Sequence, residues 1–282
     1  MIYIFSDIDG TMYPFKGNPT KETIDYISQL RKGNENAKKV CLTLNTGNPM
    51  VPKIKRISQL LNLRYLIGSG GAAIYDFDIN DFIYIKIIDH ESVKKMFDLA
   101  LKYNLSIYYA SRWKLFRYNV SDKFKEFINE HTDTTNEDWD ESGNIDIEID
   151  KFEIWGENRK TVEAYSKEMQ ALNLPINFVD MGATHIEVTA LGTNKGEAIK
   201  WMCEHVFNVS TEDVMGIGDS NNDIDMLKTV GYSYAMDNAN DNVKNIAKYY
   251  TCDVLQEGLV MAIKDFRLRR MPYIEQEIAN RK

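Results

Sequence analysis

The sequence predicts an α/β protein in which a parallel-sheet domain is interrupted by an inserted α+β domain. Changes of pattern along the chain carry this reading. Up to about residue 81, short apolar runs alternate with amphipathic stretches of helical period, the order of βαβ units with right-handed crossovers. From Phe82 onward, runs that alternate apolar with polar residues dominate, as in an antiparallel sheet with one face covered by helices and the other open. After Lys195 the first pattern returns. Residues 1–81 and 189–282 therefore read as one discontinuous domain, and 82–188 as the insertion.

Ile2-Tyr3-Ile4-Phe5 is a buried strand that stops at the turn Ser6-Asp7-Ile8-Asp9-Gly10. Thr23, Ile24, Ile27 and Leu30 fall near helical spacing, so a helix is expected over 20–31 with Thr20 as its N-cap. Val40 to Leu44 is a second strand ending at Asn45-Thr46-Gly47-Asn48, residues 52–61 are helical in pattern, and Tyr65 to Ile67 is a third strand before Gly68-Ser69-Gly70-Gly71. In the insertion, strands are expected at 82–88, 106–109, 114–118, 145–149, 152–155, 176–179 and 184–188, with helices at 92–103, 122–130 and 160–172. Beyond it come a helix at 196–207, a strand at 214–217, a helix at 223–229 and a strand at 232–235. Residues 264–282, with Arg267, Arg269 and Arg270 ahead of a helical stretch, read as a surface tail. The acidic stretch 132–144 carries Asp138, Asp140, Ser142 and Gly143 at calcium-loop offsets, but Ile149 stands where such a loop needs Glu, so a solvated loop is expected.

The chain of 282 residues is 44% hydrophobic and 27% charged, within the globular range and long enough for one large domain or two modest ones. A formal net charge of −8 argues against a general nucleic-acid binder, because affinity for a phosphate backbone comes from clustered Lys and Arg. Any phosphate has to be met by a local site. Cys41, Cys203 and Cys252 are far apart and odd in number, which suggests neither a disulfide framework nor a zinc site. The N-terminus lacks the basic and apolar regions of a secretory signal, and no apolar run approaches the ~18–20 residues of a membrane span. A cytoplasmic protein with no membrane, nucleic-acid or obligate protein partner is expected.

Asp7 and Asp9 stand two apart at a strand end, so in extended geometry their carboxylates share one side. Such a pair calls for a cation or a shared proton, and a hard divalent ion is the simplest solution. Gly10 lets the backbone turn sharply beside them. A second acidic cluster, Gly218-Asp219-Ser220-Asn221-Asn222-Asp223, also follows an apolar strand and precedes a helix, so both clusters fall at one edge of one sheet. Phosphoryl transfer needs a nucleophile, a cation on the phosphoryl oxygens, further donors and a proton for the leaving group. Asp7 can be the nucleophile and Asp9 the acid. Thr46 and the Gly47 amide can donate to the phosphoryl group, and Lys195 adds a point charge beside a helix start. His90, His131, His185 and His205 show no metal-ligand spacing.

The ordered set Asp7-Ile8-Asp9-Gly10-Thr11, Thr46-Gly47, Lys195-Gly196 and Gly218-Asp219 with Asn222-Asp223 resembles the four motifs of the haloacid dehalogenase superfamily. The Cof-type hydrolases within it are similar over nearly the whole chain, including Tyr234-Ala235-Met236-Asp237-Asn238-Ala239 and Glu257-Gly258. The resemblance implies a Rossmann-like core with a mobile α+β cap inserted between the second and third motifs. The stretch from Thr46 to Lys195 agrees, since it holds roughly 100 residues more than one or two βα units need. It also implies a phosphatase of a small phosphorylated metabolite working through an aspartyl phosphate. Mg²⁺ would be held by Asp7, Asp219 and the Asp9 carbonyl, with Asp223 and Asn222 holding the metal and its surroundings, and Asn222 would also assist phosphate binding. In the cap, Arg112, Trp113, Arg117 and His185 are candidates for leaving-group contacts. The chain departs from the family at Asn48, where Arg is frequent, and at Gly70-Gly71-Ala72, where Asn-Gly-Ala is frequent. A phosphosugar mutase of the same superfamily and a non-catalytic phosphate-binding regulator are the alternative functions.

Overall fold

A computed structural model describes residues 1–32, 39–131, 138–182 and 184–279. The side chain of His131, residues 132–137 of the acidic stretch and the last three residues of the tail lie outside the described residues. In chain order the elements are β1 (Ile2–Ser6), α1 (Lys21–Lys32), β2 (Val40–Asn45), α2 (Pro52–Leu60), β3 (Tyr65–Gly68), β4 (Ala73–Asp76) and β5 (Asp81–Ile85). Then follow α3 (His90–Lys102), β6 (Ser106–Ser111), β7 (Lys114–Tyr118), α4 (Asp122–His131), β8 (Trp139–Asp140), β9 (Lys151–Trp155), α5 (Arg159–Ala171), β10 (Ile176–Asp180) and β11 (His185–Ala190). The last are α6 (Lys195–Met202), β12 (Met215–Gly218), α7 (Ile224–Thr229), β13 (Tyr232–Ala235), α8 (Asp241–Lys244), β14 (Tyr249–Tyr250) and α9 (Gly258–Ala279). The chain forms two compact units, one of Met1–Asn45, Leu60–Arg64 and Lys195–Lys282, the other of Thr46–Gln59 and Tyr65–Asn194.

The first unit is built on a parallel sheet in the order β14-β13-β12-β1-β2. Consecutive residues Ile4 and Phe5 are both fully buried, so both faces of β1 are covered and its sequence is apolar without alternation. Ile4 lies opposite Met215 on one side and Leu42 on the other. Because the strands are parallel, the residues after β1 and β12 and the last residue of β2 collect at one sheet edge, where α/β proteins bind ligands. Thr20 caps α1 as expected, its hydroxyl accepting the Thr23 N–H at 3.1 Å. The expected helix 196–207 is α-helical to Met202 and then widens into a π turn at Cys203–Phe207, closed by Asn208 in the left-handed region. The tail expected from Lys264 onward is instead part of α9. Leu259, Ala262, Ile263 and Phe266 recur at helical spacing and are buried, so the helix is held by an apolar stripe as far as Phe266.

The second unit contains an antiparallel ribbon, β3-β4-β5, and a six-stranded sheet in the order β10-β11-β9-β6-β7-β8. That sheet is antiparallel except where β7 runs parallel to β8. Three expectations change here. The strand expected at 82–88 pairs with β4, a strand absent from the sequence reading, rather than joining the insertion's sheet. The expected strand at 145–149 is instead an irregular segment, bent at Asp146 and Ile147, without a ladder of its own. Its alternating Ile145, Ile147 and Ile149 are used for packing on the core, and Ile149 accepts the Ile88 N–H at 2.8 Å. The sheet's second face is not wholly open. Val93, Met96 and Ala100 of α3 and Val162, Tyr165 and Met169 of α5 cover the face of Ile107 and Tyr109, while Phe124 of α4 packs on the opposite face against Tyr108 and Trp155. Aromatic rings of that size strongly favour removal from water, and Phe124 supplies the cover.

The protein is thus mixed α/β with a parallel-sheet core. Among the described residues no helix is long and apolar enough to cross a membrane.

Candidate active site

In the first unit Asp7 follows β1, and its N–H still bonds to the Ile217 carbonyl at 3.0 Å, so the strand's extended path persists one residue past its end. Lys195 opens α6, and its ammonium donates to Asp7 Oδ1 and to Asp223 Oδ1, each at 2.6 Å. The root of that lysine is fixed by Asn45, the last residue of β2, whose amide donates to the Lys195 carbonyl at 3.1 Å. Asp219 follows β12, and Thr11 Oγ1 donates to its Oδ1 at 3.0 Å. Oxygens of Asp7, Asp219 and Asp223 all lie within 4.8 Å of one another. Asp223 Oδ2 accepts the N–H groups of Asp219 and Ser220, both at 3.0 Å, which ties the turn after β12 to the same cluster. Gly10 has φ 80°, and a Cβ there would run into the Asp219 carboxylate, so the turn that carries Asp9 needs glycine for both reasons. Asn238 donates to the Gly10 carbonyl at 2.8 Å and steadies that turn.

Burial raises the Asp7 pKa well above the carboxylate range. The Lys195 charge opposes this, and the neighbouring Asp223 and Asp219 add to it. Burial, then the charge of Asp223, pushes Asp219 up to about 6 against the bond from Thr11. Burial disfavours the charge on Lys195, but Asp223 and Asp7 together outweigh it and raise its pKa. Three carboxylates with one ammonium leave the cluster short of positive charge in a low-dielectric setting. Hard oxygen donors, mutually repelling and desolvated, fit a divalent cation such as Mg²⁺.

Of the residues singled out in the sequence, Asp7, Lys195, Asp219 and Asp223 are brought together. Asp9 lies on the adjoining turn, bridged to Tyr13, and its charge also raises the Asp219 pKa. Asn222 is exposed, its Oδ1 accepting the Ser220 hydroxyl at 2.9 Å. Thr46 and Gly47 follow directly on Asn45 and belong to the second unit. There Thr46 Oγ1 accepts the Asn48 N–H at 3.1 Å. Arg112 pairs with Glu148 at 2.5 Å, and Arg117 with Glu141 at 2.6 Å. Trp113 packs edge-on against Tyr75, and His185 stacks on Trp155 with ring centroids 3.7 Å apart. Sequence reasoning passed over the buried helpers Thr11 and Asn45 and the exposed Asn238. Thr11 and Asn238 lie inside the quoted motifs, whereas nothing in a single sequence marks Asn45 as the support of a lysine 150 residues away.

Residues 4–263 match the family model of haloacid dehalogenase-like hydrolases. The chain is a haloacid dehalogenase-like hydrolase of the Cof type. It is 31% identical over 264 residues to the 5-amino-6-(5-phospho-D-ribitylamino)uracil phosphatase YcsE of Bacillus subtilis, covering 93% of this chain and 94% of that one. A haloacid dehalogenase-like hydrolase from Bacteroides thetaiotaomicron superposes with TM-score 0.80 at 22% identity, over 94% of this chain and 98% of that one. A subclass IIB sugar phosphatase superposes with TM-score 0.78 at 21% identity, over 94% and 99%. As a family member with phosphatases among its relatives, the protein is a phosphatase.

Proposed function

We propose that this hydrolase cleaves the phosphate ester of a small metabolite in two steps, with Asp7 as nucleophile and Asp9 as acid and then base. The carrying observation is the pair of hydrogen bonds that the Lys195 ammonium donates to Asp7 and Asp223 within the carboxylate cluster. Lys195 fixes one oxygen of Asp7 and leaves the carboxylate oriented to attack. In the first step an Asp7 oxygen bonds to phosphorus, the ester P–O bond breaks, and Asp9 gives its proton to the departing alcohol. In the second, Asp9 takes a proton from water as the water oxygen attacks the aspartyl phosphate, releasing phosphate and restoring the Asp7 carboxylate. Thr46 and the Gly47 N–H donate to the phosphoryl oxygens. A divalent cation held by Asp7, Asp219 and the Asp9 carbonyl, with Asp223 behind them, would supply charge neutralisation for those oxygens.

For substrate, the Bacillus subtilis relative acts by name on a phosphoribityl compound, and a structural neighbour is a sugar phosphatase. We assign to this chain the same broad class, a phosphorylated sugar or sugar alcohol. Selection of the leaving group falls to residues 82–188, acting as a cap, with Arg112, Trp113, Arg117 and His185 as its candidates. The roles of the two aspartates separate with an activated aryl phosphate. Asp7→Asn abolishes turnover, whereas Asp9→Asn gives a stoichiometric burst followed by slow release, a loss of ~10²–10⁴ in the second step. Phosphate trapped in acid-quenched Asp9→Asn should map to the peptide containing Asp7. Near-normal turnover in Asp7→Asn, or label elsewhere, would overturn the assignment.

A further inference from the structure

The second unit buries a lysine that the proposed reaction does not use. Lys151, the first residue of β9, is 1% exposed. A charge so buried is costly unless paired. Its ammonium binds Glu187 of β11, stands 3.9 Å from Glu153, and donates to the Gly47 carbonyl at 3.2 Å. Glu153, His185 and Glu187 are close enough to share a cation, but Lys151 already supplies positive charge there.

The bond to Gly47 reaches a loop whose backbone is otherwise fixed. Thr46 N donates to the Ile67 carbonyl at 3.0 Å, the Thr46 carbonyl accepts Gly70 N at 3.1 Å, and the Asn48 carbonyl accepts Ser69 N at 2.7 Å. Asn48 N donates to Thr46 Oγ1. Among the described residues, no acceptor meets the Gly47 N–H, and the Thr46 hydroxyl accepts a bond without donating one. The two donors assigned to the phosphoryl group are thus the two that the loop leaves free.

We infer that Lys151 is a positioning residue for phosphoryl transfer, acting through the Gly47–Asn48 peptide on the Thr46 hydroxyl. The Gly47 carbonyl and the Asn48 N–H belong to one peptide group. A cation on that carbonyl polarises the peptide and strengthens the N–H bond to Thr46 Oγ1, and an oxygen that accepts a stronger bond becomes a stronger donor. Glu187 pairs with the ammonium and aims it. The effect is largest when residue 151 carries a charge, weaker with a neutral donor, and it disappears when Thr46 has no hydroxyl.

The inference rests on the proposed reaction, and a double-mutant cycle separates the two. Lys151→Met and Thr46→Val are made singly and together in the full chain with Mg²⁺. Turnover of p-nitrophenyl phosphate and calorimetric binding of inorganic phosphate are then measured. Lys151→Met should lower kcat about tenfold, the scale of one charge-assisted hydrogen bond, with KM changed by less than about twofold. In the Thr46→Val background the same change should cost less than about twofold. Lys151→Gln, which keeps a donor but not the charge, should fall between wild type and Lys151→Met. If Lys151→Met does not fold, Lys151→Gln carries the same comparison in both backgrounds. Losses that multiply in the double variant, or a lowered Tm with unchanged kcat, would overturn the inference. Absence of turnover in the wild type would instead overturn the reaction, and the Lys151–Thr46 coupling would then be read from phosphate affinity alone.

Discussion

Three carboxylates around Lys195 make the site's charge depend on what shares it. With Asp7 raised and Asp219 held up to about 6 mainly by burial, protons and a divalent cation compete for the same oxygens. For a raised carboxylate the folded, cation-free site keeps its proton until pH passes the raised value, so cation binding near pH 6 has to expel it. Mg²⁺ affinity should therefore fall as pH drops below about 6, by up to about tenfold per pH unit for each proton displaced. Calorimetry in buffers of different ionisation heat should count more protons released at pH 6 than at pH 8. No difference between the two would mean that the carboxylates are ionised without the cation. The charged members of this cluster were readable from sequence, because carboxylates at the ends of two parallel strands have few structural reasons to be there. Lys151 was not, since a lysine opening a strand ordinarily lies in solvent, and its burial depends on Glu187 reaching it from β11.

At the scale of elements, what could be read was what repeats. β1, β2, β3 and β13 are buried runs or fall between clear turn residues, and they lie within a residue of where the pattern puts them. β4 was missed because Ala73–Asp76 is short and follows a glycine pair that reads as continuing turn. Residues 145–149 have a strand's alternation but no pairing ladder, since alternation reports which side chains are buried, not where backbone N–H groups go. The last helix starts earlier than its helical stretch suggests, because the exposed or half-buried Arg267, Arg269 and Arg270 follow directly on the apolar stripe that ends at Phe266. Phe266 on that stripe is fully buried in the first unit, so Phe266→Ala should destabilise that unit by about 3–5 kcal/mol in urea unfolding. A surface tail would lose almost nothing. Glu257, just ahead of α9, accepts the Thr20 hydroxyl at 2.6 Å and also the Thr23 hydroxyl, tying the last helix to the start of α1.

For the molecule as a whole, the second unit gathers segments distant in sequence around Asp150, next to Lys151. Asp150 Oδ1 accepts the Ser69 hydroxyl and Oδ2 the Arg112 N–H, both at 2.6 Å, so one buried carboxylate joins the β3–β4 turn to the β6–β7 turn. Burial outweighs those bonds and pushes its pKa from 3.8 up to about 6. Between these values the folded state holds a proton that the unfolded chain has lost. The carboxyl's contribution is therefore fully present below pH 3.8 and is lost as pH rises through about 6. An asparagine can keep both contacts, accepting from Arg112 and donating to the Ser69 oxygen, without titrating. Urea unfolding followed by fluorescence isolates the effect, because Trp113, Trp139 and Trp155 lie in the second unit and only Trp201 in the first. The stability of wild type relative to Asp150→Asn should fall by up to about 3 kcal/mol between pH 4 and pH 7, with the variant equal or better at the upper end. Parallel pH profiles would mean that Asp150 is ionised in the fold across that range, and that the charge of Lys151 or Arg112 reaches it more strongly than burial opposes.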